Sequence, residues 1–281
     1  AIVDRAMFHC DNAYYYPAAK VAGHRCKTHT VSNTAYRGFG GPQGLMTAEY
    51  MMDQIAYTLG KDPLEVRLNN LYQDGQTTHY GQPIEHFDLA TLMDNLAKDC
   101  DYDKRRQQIM AANGKAQAEG SDKRLGIVLT PVKFGISFTV QHLNQAGALV
   151  HIYTDGTIQI NHGGTEMGQG LYIKIAQIVA NEFEVDLDTV KVTATRTDKV
   201  PNTSPTAASS GTDINGKAAQ NACLTIKGRL VEFAAEHFAV PSDSIKFENN
   251  HVQIGDKETL TFAELVLLAY QHRISLSATG Y

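Results

Sequence analysis

Two glycine-dense loops, each followed by an apolar pattern of helical spacing, constrain this chain more than any other feature. The first covers residues 36–44 (YRGFGGPQG) and the second covers residues 163–170 (GGTEMGQG). A third loop of small residues, 202–211 (NTSPTAASSG), also precedes a predicted helix. A single glycine cluster is commonly only a tight turn, but three such junctions favour a ligand-binding role. Glycine lets backbone amides approach a ligand, and the positive end of the helix dipole faces the same place, so we expect a large anionic cofactor.

Composition restricts the classes of protein to which the chain can belong. Its 281 residues, of which 43% are hydrophobic, are enough for two cores. A net charge of −5 argues against binding to nucleic acid or to an anionic membrane surface. The four cysteines are scattered without metal-ligand spacing, which argues against a zinc or iron-sulfur site in this chain and suits reduced thiols in the cytoplasm, although their even number leaves disulfides open.

The ends of the chain and its apolar runs carry two further expectations. No run approaches the length of a membrane span, and no signal peptide is recognisable. The chain begins with Ala1 rather than methionine and stops after what resembles an unfinished strand and turn at residues 274–280. We therefore expect an excised or processed piece of a longer protein.

The periodicity of apolar residues predicts an α+β fold with mixed sheets and flanking helices. Helices are expected from Leu45 to Leu59 with Gly60 as C-cap, from Pro63 onward, over residues 89–112 as two helices, after the second loop, and from near Asn215. Strands are expected within residues 1–33 and at 125–131, 136–140, 148–153, 157–160 and 190–195, with a hairpin turn at Asp155-Gly156. Residues 73–87 are expected to form a loop, and the polar stretch 113–124 predicts a boundary between lobes 1–110 and 111–281.

Some side chains in and near the loops have the chemistry of ligand-binding groups, each with a structural alternative. Arg37 has a fork of donors suited to phosphate or to an anionic ring substituent, but it also suits a surface role in which it caps helix carbonyls. Gln169 offers the donor and acceptor that a heterocycle edge requires, but taken alone it suits a solvated loop glutamine. Phe39, Phe134 and Phe138 are of a residue type that is more often core, but Phe39 is flanked by glycines, which favours stacking on a flat substrate.

Two other candidates are interpreted as structural. Glu166 has the chemistry of a general base, but a carboxylate at a helix N-terminus is a common stabilising arrangement, which we favour. The histidines, including His162, lack ligand spacing and are expected to be structural. The first loop has neither the Gly-Lys-Ser/Thr ending of a nucleoside triphosphate loop nor a dinucleotide-binding glycine pattern.

Four runs taken together resemble the molybdenum cofactor-binding part of the xanthine dehydrogenase family. They are residues 32–44 (SNTAYRGFGGPQG), 134–139 (FGISFT), 162–170 (HGGTEMGQG) and 204–209 (SPTAAS). They occur in the family's order, and the resemblance extends over essentially the whole chain, most weakly at residues 107–124 and 240–260. It implies the two-lobed fold of the xanthine dehydrogenase and aldehyde oxidase type, with the end of the first lobe in residues 1–110 and the start of the second in 111–281.

The resemblance implies a molybdopterin enzyme that hydroxylates purines, from hypoxanthine to xanthine and from xanthine to urate. The cofactor does the hard chemistry and the protein positions and polarises it. Electrons leave through 2Fe–2S clusters and FAD, which are implied to lie on other segments or subunits. The implied partners are a purine substrate and an iron-sulfur and FAD subunit or domain, in a cytoplasmic homo- or hetero-oligomer.

Site residues are carried over only where this sequence matches the family's motifs. The implied cofactor-binding residues are Arg37, Met167, Gly168, Gln169, Ala208 and Ser209, with Arg37 and Ala208 as neighbours of the molybdenum. The implied substrate-binding residues are Arg5, Phe39, Phe138 and Thr139, with the two phenylalanines as a sandwich around the purine. Arg5 is also the implied catalytic residue, because it matches the arginine that stabilises negative charge on the purine during attack.

Departures from the family pattern limit what this chain can do alone. Gly211 stands where the family often has a serine, so one pterin contact is missing or is supplied by Ser210. The catalytic glutamate of the family lies beyond the C-terminal end of this sequence and a second substrate glutamate lies before Ala1, and neither is matched by Glu166. We therefore expect no turnover by the isolated chain.

Two alternatives stay open at this point. One is an aldehyde or other N-heterocycle hydroxylase of the same superfamily, against which Arg5 counts because aldehyde oxidases generally have an uncharged residue there. The other is a catalytically silent scaffold that docks cofactor-maturation or redox partners.

Overall fold

A computed structural model describes residues 2–31, 35–200 and 202–281. The chain divides into two compact units, residues 1–135 and 136–281, each with its own hydrophobic core. This division by contacts does not test the assignment of residues 1–110 and 111–281 to two cofactor-binding lobes, which stays a prediction. The start of the first run that carries the family resemblance, residues 32–34, lies outside the described residues.

The first unit is helical. Its helices are α1 Ile2–His9, α2 Gly41–Leu59, α3 Pro63–Asn69, α4 Leu89–Asp99 and α5 Tyr102–Ala118. The predicted signals at the end of α2 and the start of α3 are confirmed: Gly60 is the left-handed C-cap of α2, and Pro63 opens α3 after Asp62, whose side chain accepts the N–H of Leu64. The predicted loop at residues 73–87 contains neither helix nor named strand.

The strands predicted within residues 1–33 and at 125–131 and 136–140 are wrong. Residues 2–9 form α1, because Ile2 and Ala6, like Val3 and Met7, are spaced four apart and meet on one helix face. The stretch 125–131 does alternate in burial, with Leu129 and Pro131 inside, but it forms no ladder with any strand in the described part of the chain. Alternation therefore marked an extended segment lying on the core and did not mark a strand.

The second unit contains two sheets with helices packed on them. Its elements are β1 Ala148–Ile152, β2 Ile158–His162, α6 Leu171–Phe183, β3 Val190–Val192, α7 Gly211–Phe238, β4 Ile245–Glu248, β5 His251–Ile254, β6 Glu258–Thr261, α8 Phe262–Gln271 and β7 Ser277–Gly280. The larger sheet is mixed, in the order β3-β2-β1-β7, with β2 and β3 parallel and the other pairs antiparallel. The smaller sheet, β4-β5-β6, is antiparallel.

Local sequence accounts for the central part of the larger sheet. The predicted hairpin is confirmed: Gly156 has φ +85°, and Asp155 accepts hydrogen bonds from the backbone and hydroxyl of Thr157. The helices α6 and α7 pack against each other, and α7 also contacts β1, β2 and β7, which buries the apolar side of the sheet. The predicted α+β class is confirmed. Within the described part of the chain, no helix combines the length and apolar character needed to cross a membrane.

Candidate functional site

The first glycine loop is a tight turn that leads into α2. Gly38, Phe39 and Gly40 all have positive φ, at +101°, +39° and +92°. The Phe39 N–H donates to the carbonyl of Tyr36, and that of Gly41 donates to the carbonyl of Gly38. The turn leaves Phe39 37% exposed, so its ring is presented at the surface as the sequence predicts. Arg37 is exposed in the same turn.

Helix α1 supports this turn from one side and carries Arg5. A Cβ added at Gly40 would lie 2.2 Å from the carbonyl oxygen of Ile2 and 2.8 Å from the Cβ of Arg5, so glycine is needed for the two segments to touch. The Arg5 guanidinium donates from Nη2 to the carbonyl oxygen of Gly135 at 2.7 Å and lies 6.0 Å from the ring centre of Phe134. Arg5, Phe39 and Arg37 thus belong to one assembly in the first unit.

Phe134 links Arg5 to the start of α2. Its ring occupies the space beside Gly41, where a Cβ would lie 2.2 Å from Phe134 Cε2. The imidazole of His9 also contacts Phe134, with the two ring centres 4.9 Å apart. Phe134 is only partly buried, and its ring lies beside the Arg5 side chain.

In the second unit, Glu166 satisfies the amides at the start of α6. Its Oε1 accepts from the N–H groups of Gly168 and Gly170, and its Oε2 accepts from that of Tyr172. These backbone hydrogen bonds, the Tyr172 bond first, hold the pKa of Glu166 below its usual range. The structural interpretation of Glu166 is thus confirmed. The expectation that this helix end is free for an anionic ligand needs correction, because the chain's own carboxylate occupies it.

The other side chains of the second loop fold back on the loop itself. Gln169 accepts the N–H of Met167 at 2.6 Å and donates from Nε2 to the carbonyl of Thr165 at 2.9 Å. Gly168 has φ +87°, and a Cβ added there would meet nothing within 4 Å. The backbone at Gly168 is therefore open to close approach by a ligand.

The third loop lies against the second. The N–H of Thr165 donates to the Thr206 hydroxyl at 2.7 Å, and a Cβ added at Gly163 would overlap the side chain of Thr203. Ala208 and Ser209 both have left-handed backbone, at φ +58° and +57°. The structure thus brings the second and third loops together.

Phe138 and Thr139 are attached to the third loop through the backbone. The N–H of Ser137 donates to the carbonyl of Ala208 at 2.8 Å. Asn144 then bonds to both backbone polar groups of Phe138: Oδ1 accepts the Phe138 N–H and Nδ2 donates to the Phe138 carbonyl, each at 2.8 Å. Phe138 is partly buried and Thr139 is exposed.

Two buried polar side chains lie next to Gly164, behind the second loop. The Nδ1 of His162 accepts the Gly164 N–H at 3.1 Å, and burial lowers the pKa of His162 to about 4. Among the residues that the structure describes, its Nε2 has no hydrogen-bond partner, and neither has Oδ1 of Asn215, which is 1% exposed. This arrangement agrees with a neutral, structural His162.

The sequence-predicted site residues thus form one group in each unit. Arg5, Arg37 and Phe39 lie in the first, whereas Phe138, Thr139, Met167, Gly168, Gln169, Ala208 and Ser209 lie in the second. Their roles stay predictions. The sequence did not single out His9, although it lies one helical turn after Arg5, or Asn144, although asparagine commonly closes a turn by bonding to nearby backbone.

Protein side chains do not form a metal site of their own in residues 2–31, 35–200 and 202–281. No group of three or more His, Cys, Asp or Glu side chains there has the arrangement of a metal centre. The glycine loops instead present backbone groups, hydroxyls and an amide, which suit a polar organic ligand.

Comparison with known proteins identifies the family. Profiles described as molybdopterin cofactor-binding domains match residues 1–71 and 95–281. The chain is 43% identical over 281 residues to "Xanthine dehydrogenase/oxidase" of Mus musculus and to "Xanthine dehydrogenase 1" of Arabidopsis thaliana. In both comparisons all of the chain is covered, and it spans 19% of the relative's length.

The fold has a close counterpart among solved structures. Quinoline 2-oxidoreductase from Pseudomonas putida 86 matches with a TM-score of 0.73 at 21% identity, over 99% of this chain and 38% of that one. This likeness confirms the predicted cofactor-binding fold and carries no statement about substrate. The chain belongs to the molybdopterin cofactor-binding domain family.

Proposed function

We propose that this chain is the molybdopterin-binding part of a molybdenum hydroxylase that oxidises purines, from hypoxanthine to xanthine and from xanthine to urate. One observation carries the proposal: Arg5 is held as a fixed cation on the helix that supports the turn displaying Phe39. The similarity to xanthine dehydrogenases over the whole chain supports it.

The polar groups of the loops suit the cofactor. Gly168 offers a backbone that is uncovered on its Cβ side, Gln169 offers an amide and Ser209 offers an exposed hydroxyl. Glu166, the carboxylate within the second loop, accepts hydrogen bonds from helix amides, which offset its charge. On the family resemblance, Met167 completes this cofactor-binding set in the second loop. When bound, the cofactor supplies the metal-centred oxidation of the substrate.

The molybdenum environment is proposed on the resemblance alone. Arg37 and Ala208 are the proposed neighbours of the metal. Arg37 contributes a charged fork suited to anionic oxygen. Ala208 contributes a left-handed backbone whose carbonyl already accepts the Ser137 N–H.

Arg5 is the proposed catalytic residue of this chain. Its guanidinium donates to the purine atom on which negative charge develops, and this donation is stronger in the transition state than in the ground state. Removal of one such donor typically costs about 3 kcal/mol, or roughly a hundredfold to a thousandfold in rate. Phe39 and Phe138 are the proposed stacking rings, and Thr139 is a proposed hydrogen-bonding contact for the purine.

The remaining parts of the reaction are proposed to lie elsewhere in the intact protein. They include the glutamate base, the 2Fe–2S clusters and FAD, on other segments or subunits of a homo- or hetero-oligomer. A cytoplasmic location is proposed with them.

The test is Arg5→Met in the intact parent enzyme, assayed with xanthine and with an aromatic aldehyde. We expect kcat/KM for xanthine to fall roughly a hundredfold or more while aldehyde turnover changes by less than about tenfold, because only the purine needs the cation. Arg105→Met is the matched control, since Arg105 is also in the first unit and donates to a main-chain carbonyl, that of Cys100. Unchanged xanthine turnover in Arg5→Met would refute the assignment.

The same assays separate the alternatives. Faster turnover of aldehyde or quinoline than of xanthine by the wild-type parent would favour an aldehyde or N-heterocycle hydroxylase. Absence of molybdenum from the intact protein under saturating supply would favour a silent scaffold.

A further inference from the structure

His9 hydrogen-bonds to the backbone of Arg5 and to Gly135, the residue that accepts the Arg5 side chain. It lies one turn after Arg5 on α1 and is 3% exposed. Its Nδ1 is 2.8 Å from the backbone carbonyl oxygen of Arg5, and its Nε2 is 3.1 Å from the backbone nitrogen of Gly135. A carbonyl only accepts and an N–H only donates, so Nδ1 carries the proton and Nε2 accepts. Its neighbours therefore specify one neutral tautomer.

Gly135 bonds to both His9 and Arg5. Its N–H donates to His9, and its carbonyl accepts the Arg5 guanidinium at 2.7 Å. The imidazole thus bonds to the peptide group before the Gly135 Cα, and the Arg5 side chain bonds to the peptide group after it. A shift of Gly135 would move the acceptor that orients the guanidinium.

Packing and hydrogen bonds hold the His9 ring in one orientation. Phe134 lies against its ring at 4.9 Å between centres, and the Phe134 ring is itself confined by the start of α2 at Gly41. Both ring nitrogens are used inside the first unit. Burial lowers the pKa of His9, in keeping with a ring that stays neutral.

We propose that His9 is a positioning residue for Arg5: it holds Gly135 in the position from which its carbonyl aims the Arg5 guanidinium at the substrate. This inference rests on the proposed function, because it gives Arg5 the substrate. His9 touches neither substrate nor cofactor, and its effect passes through Arg5.

The test replaces His9 in the intact enzyme. His9→Phe keeps a ring against Phe134 and loses both hydrogen bonds, whereas His9→Gln keeps an amide oxygen able to accept the Gly135 N–H. Misplacement of a reacting group by about 1 Å can cost roughly a hundredfold, so we expect His9→Phe to lower kcat/KM for xanthine about tenfold to a hundredfold. Aldehyde turnover should change much less, and His9→Gln should recover part of the loss. Rates are expressed per bound molybdenum, so a loss of folded enzyme does not enter.

A double-mutant cycle with Arg5 distinguishes positioning from general damage. In an Arg5→Met background, His9→Phe should have no further effect on xanthine turnover, because there is no guanidinium left to orient. A second readout needs no turnover: phenylglyoxal should modify Arg5 faster in His9→Phe, as followed by mass spectrometry. His79→Phe is the control, since His79 also bonds to a carbonyl of α1, that of Met7, without contacting Arg5 or Gly135.

The outcomes separate the two proposals. If Arg5→Met leaves xanthine turnover unchanged, the proposed role of Arg5 fails whatever His9 does. If Arg5→Met impairs it but His9→Phe is additive with Arg5→Met, or lowers xanthine and aldehyde turnover equally, His9 is merely structural and the proposed function stands. If His9→Phe does not accumulate as folded enzyme, His9→Gln and His9→Asn carry the same comparison.

Discussion

Gly40 provides the sharpest test of how the first glycine loop is built. It has φ +92°, and a Cβ there would lie 2.2 Å from the carbonyl oxygen of Ile2 and 2.8 Å from the nitrogen of Ala6. Both contacts are with the backbone of α1, which has no flexible side chain to move away. Gly60, at the other end of α2, also has positive φ, at +62°, but a Cβ there would meet nothing within 4 Å. Alanine at either position would therefore carry the cost of a positive φ, but only at position 40 would its methyl group also clash.

The magnitudes follow from these two contributions. Alanine in a left-handed conformation costs about 1–2 kcal/mol, and this applies to both Gly60→Ala and Gly40→Ala. At Gly40 the methyl group must also displace α1, and overpacking of this kind costs about 1–3 kcal/mol more. We expect the free energy of unfolding to fall by about 1–2 kcal/mol in Gly60→Ala and by about 2–5 kcal/mol in Gly40→Ala. Because the added methyl would also lie 2.8 Å from the Cβ of Arg5, the second variant should disturb the Arg5 helix as well.

Denaturant unfolding measures the total loss, and hydrogen-deuterium exchange locates it. The amides of residues 2–9 should exchange faster in Gly40→Ala and at the wild-type rate in Gly60→Ala. Equal destabilisation of the two variants, or unchanged exchange in α1 of Gly40→Ala, would refute the inference that close backbone packing of α1 requires this glycine.

Two further predictions concern buried polar groups. Burial lowers the pKa of His162 from its ordinary 6.5 to about 4, so the unfolded chain takes up the proton first as the pH falls. The contribution of His162 to stability is therefore complete above pH 6.5 and falls by up to about 3 kcal/mol as the pH drops to 4. Denaturant unfolding at each pH should show a smaller loss in His162→Gln. A pH dependence identical in wild type and His162→Gln would contradict this. Arg67 is 1% exposed and bonds to Glu49 at 2.7 Å and Asp53 at 2.8 Å. Arg67→Met should lower the free energy of unfolding by about 3–5 kcal/mol, because it leaves partly buried Glu49 without its cation. A decrease below about 1 kcal/mol in chemical unfolding would show that the pair is not stabilising.

Local signals in the sequence predicted the elements that begin or end with distinctive backbone chemistry. The proline at the start of α3 fixes its own φ, and the glycines after α2 and in the Asp155-Gly156 turn permit the positive φ found there. The first helix has no such signal. Its eight residues carry no predicted cap, and an apolar pattern that short suits a strand as well as a helix until tertiary contacts decide.

The candidate site was predictable where side chains act near their own position in the chain. Glu166 reaches amides two, four and six residues ahead, so its capping role followed from the sequence alone. The attachment of Arg5 joins positions 5 and 135, and no local pattern indicates which carbonyl a guanidinium will meet across that distance. His9 was missed for the same reason, because its second partner is also Gly135.

The two glycine junctions that appeared equivalent in sequence differ in charge. At α6, the Glu166 carboxylate already accepts the N–H groups of Gly170 and Tyr172, so an anion placed on that helix end would have to displace it. At α2, the first turn contains no acidic residue and no side chain caps it. The two helix N-termini therefore differ electrostatically: the first turn of α2 has no carboxylate to offset the positive end of its dipole, whereas Glu166 offsets that of α6. Arg5 and Arg37 lie in the same unit as α2.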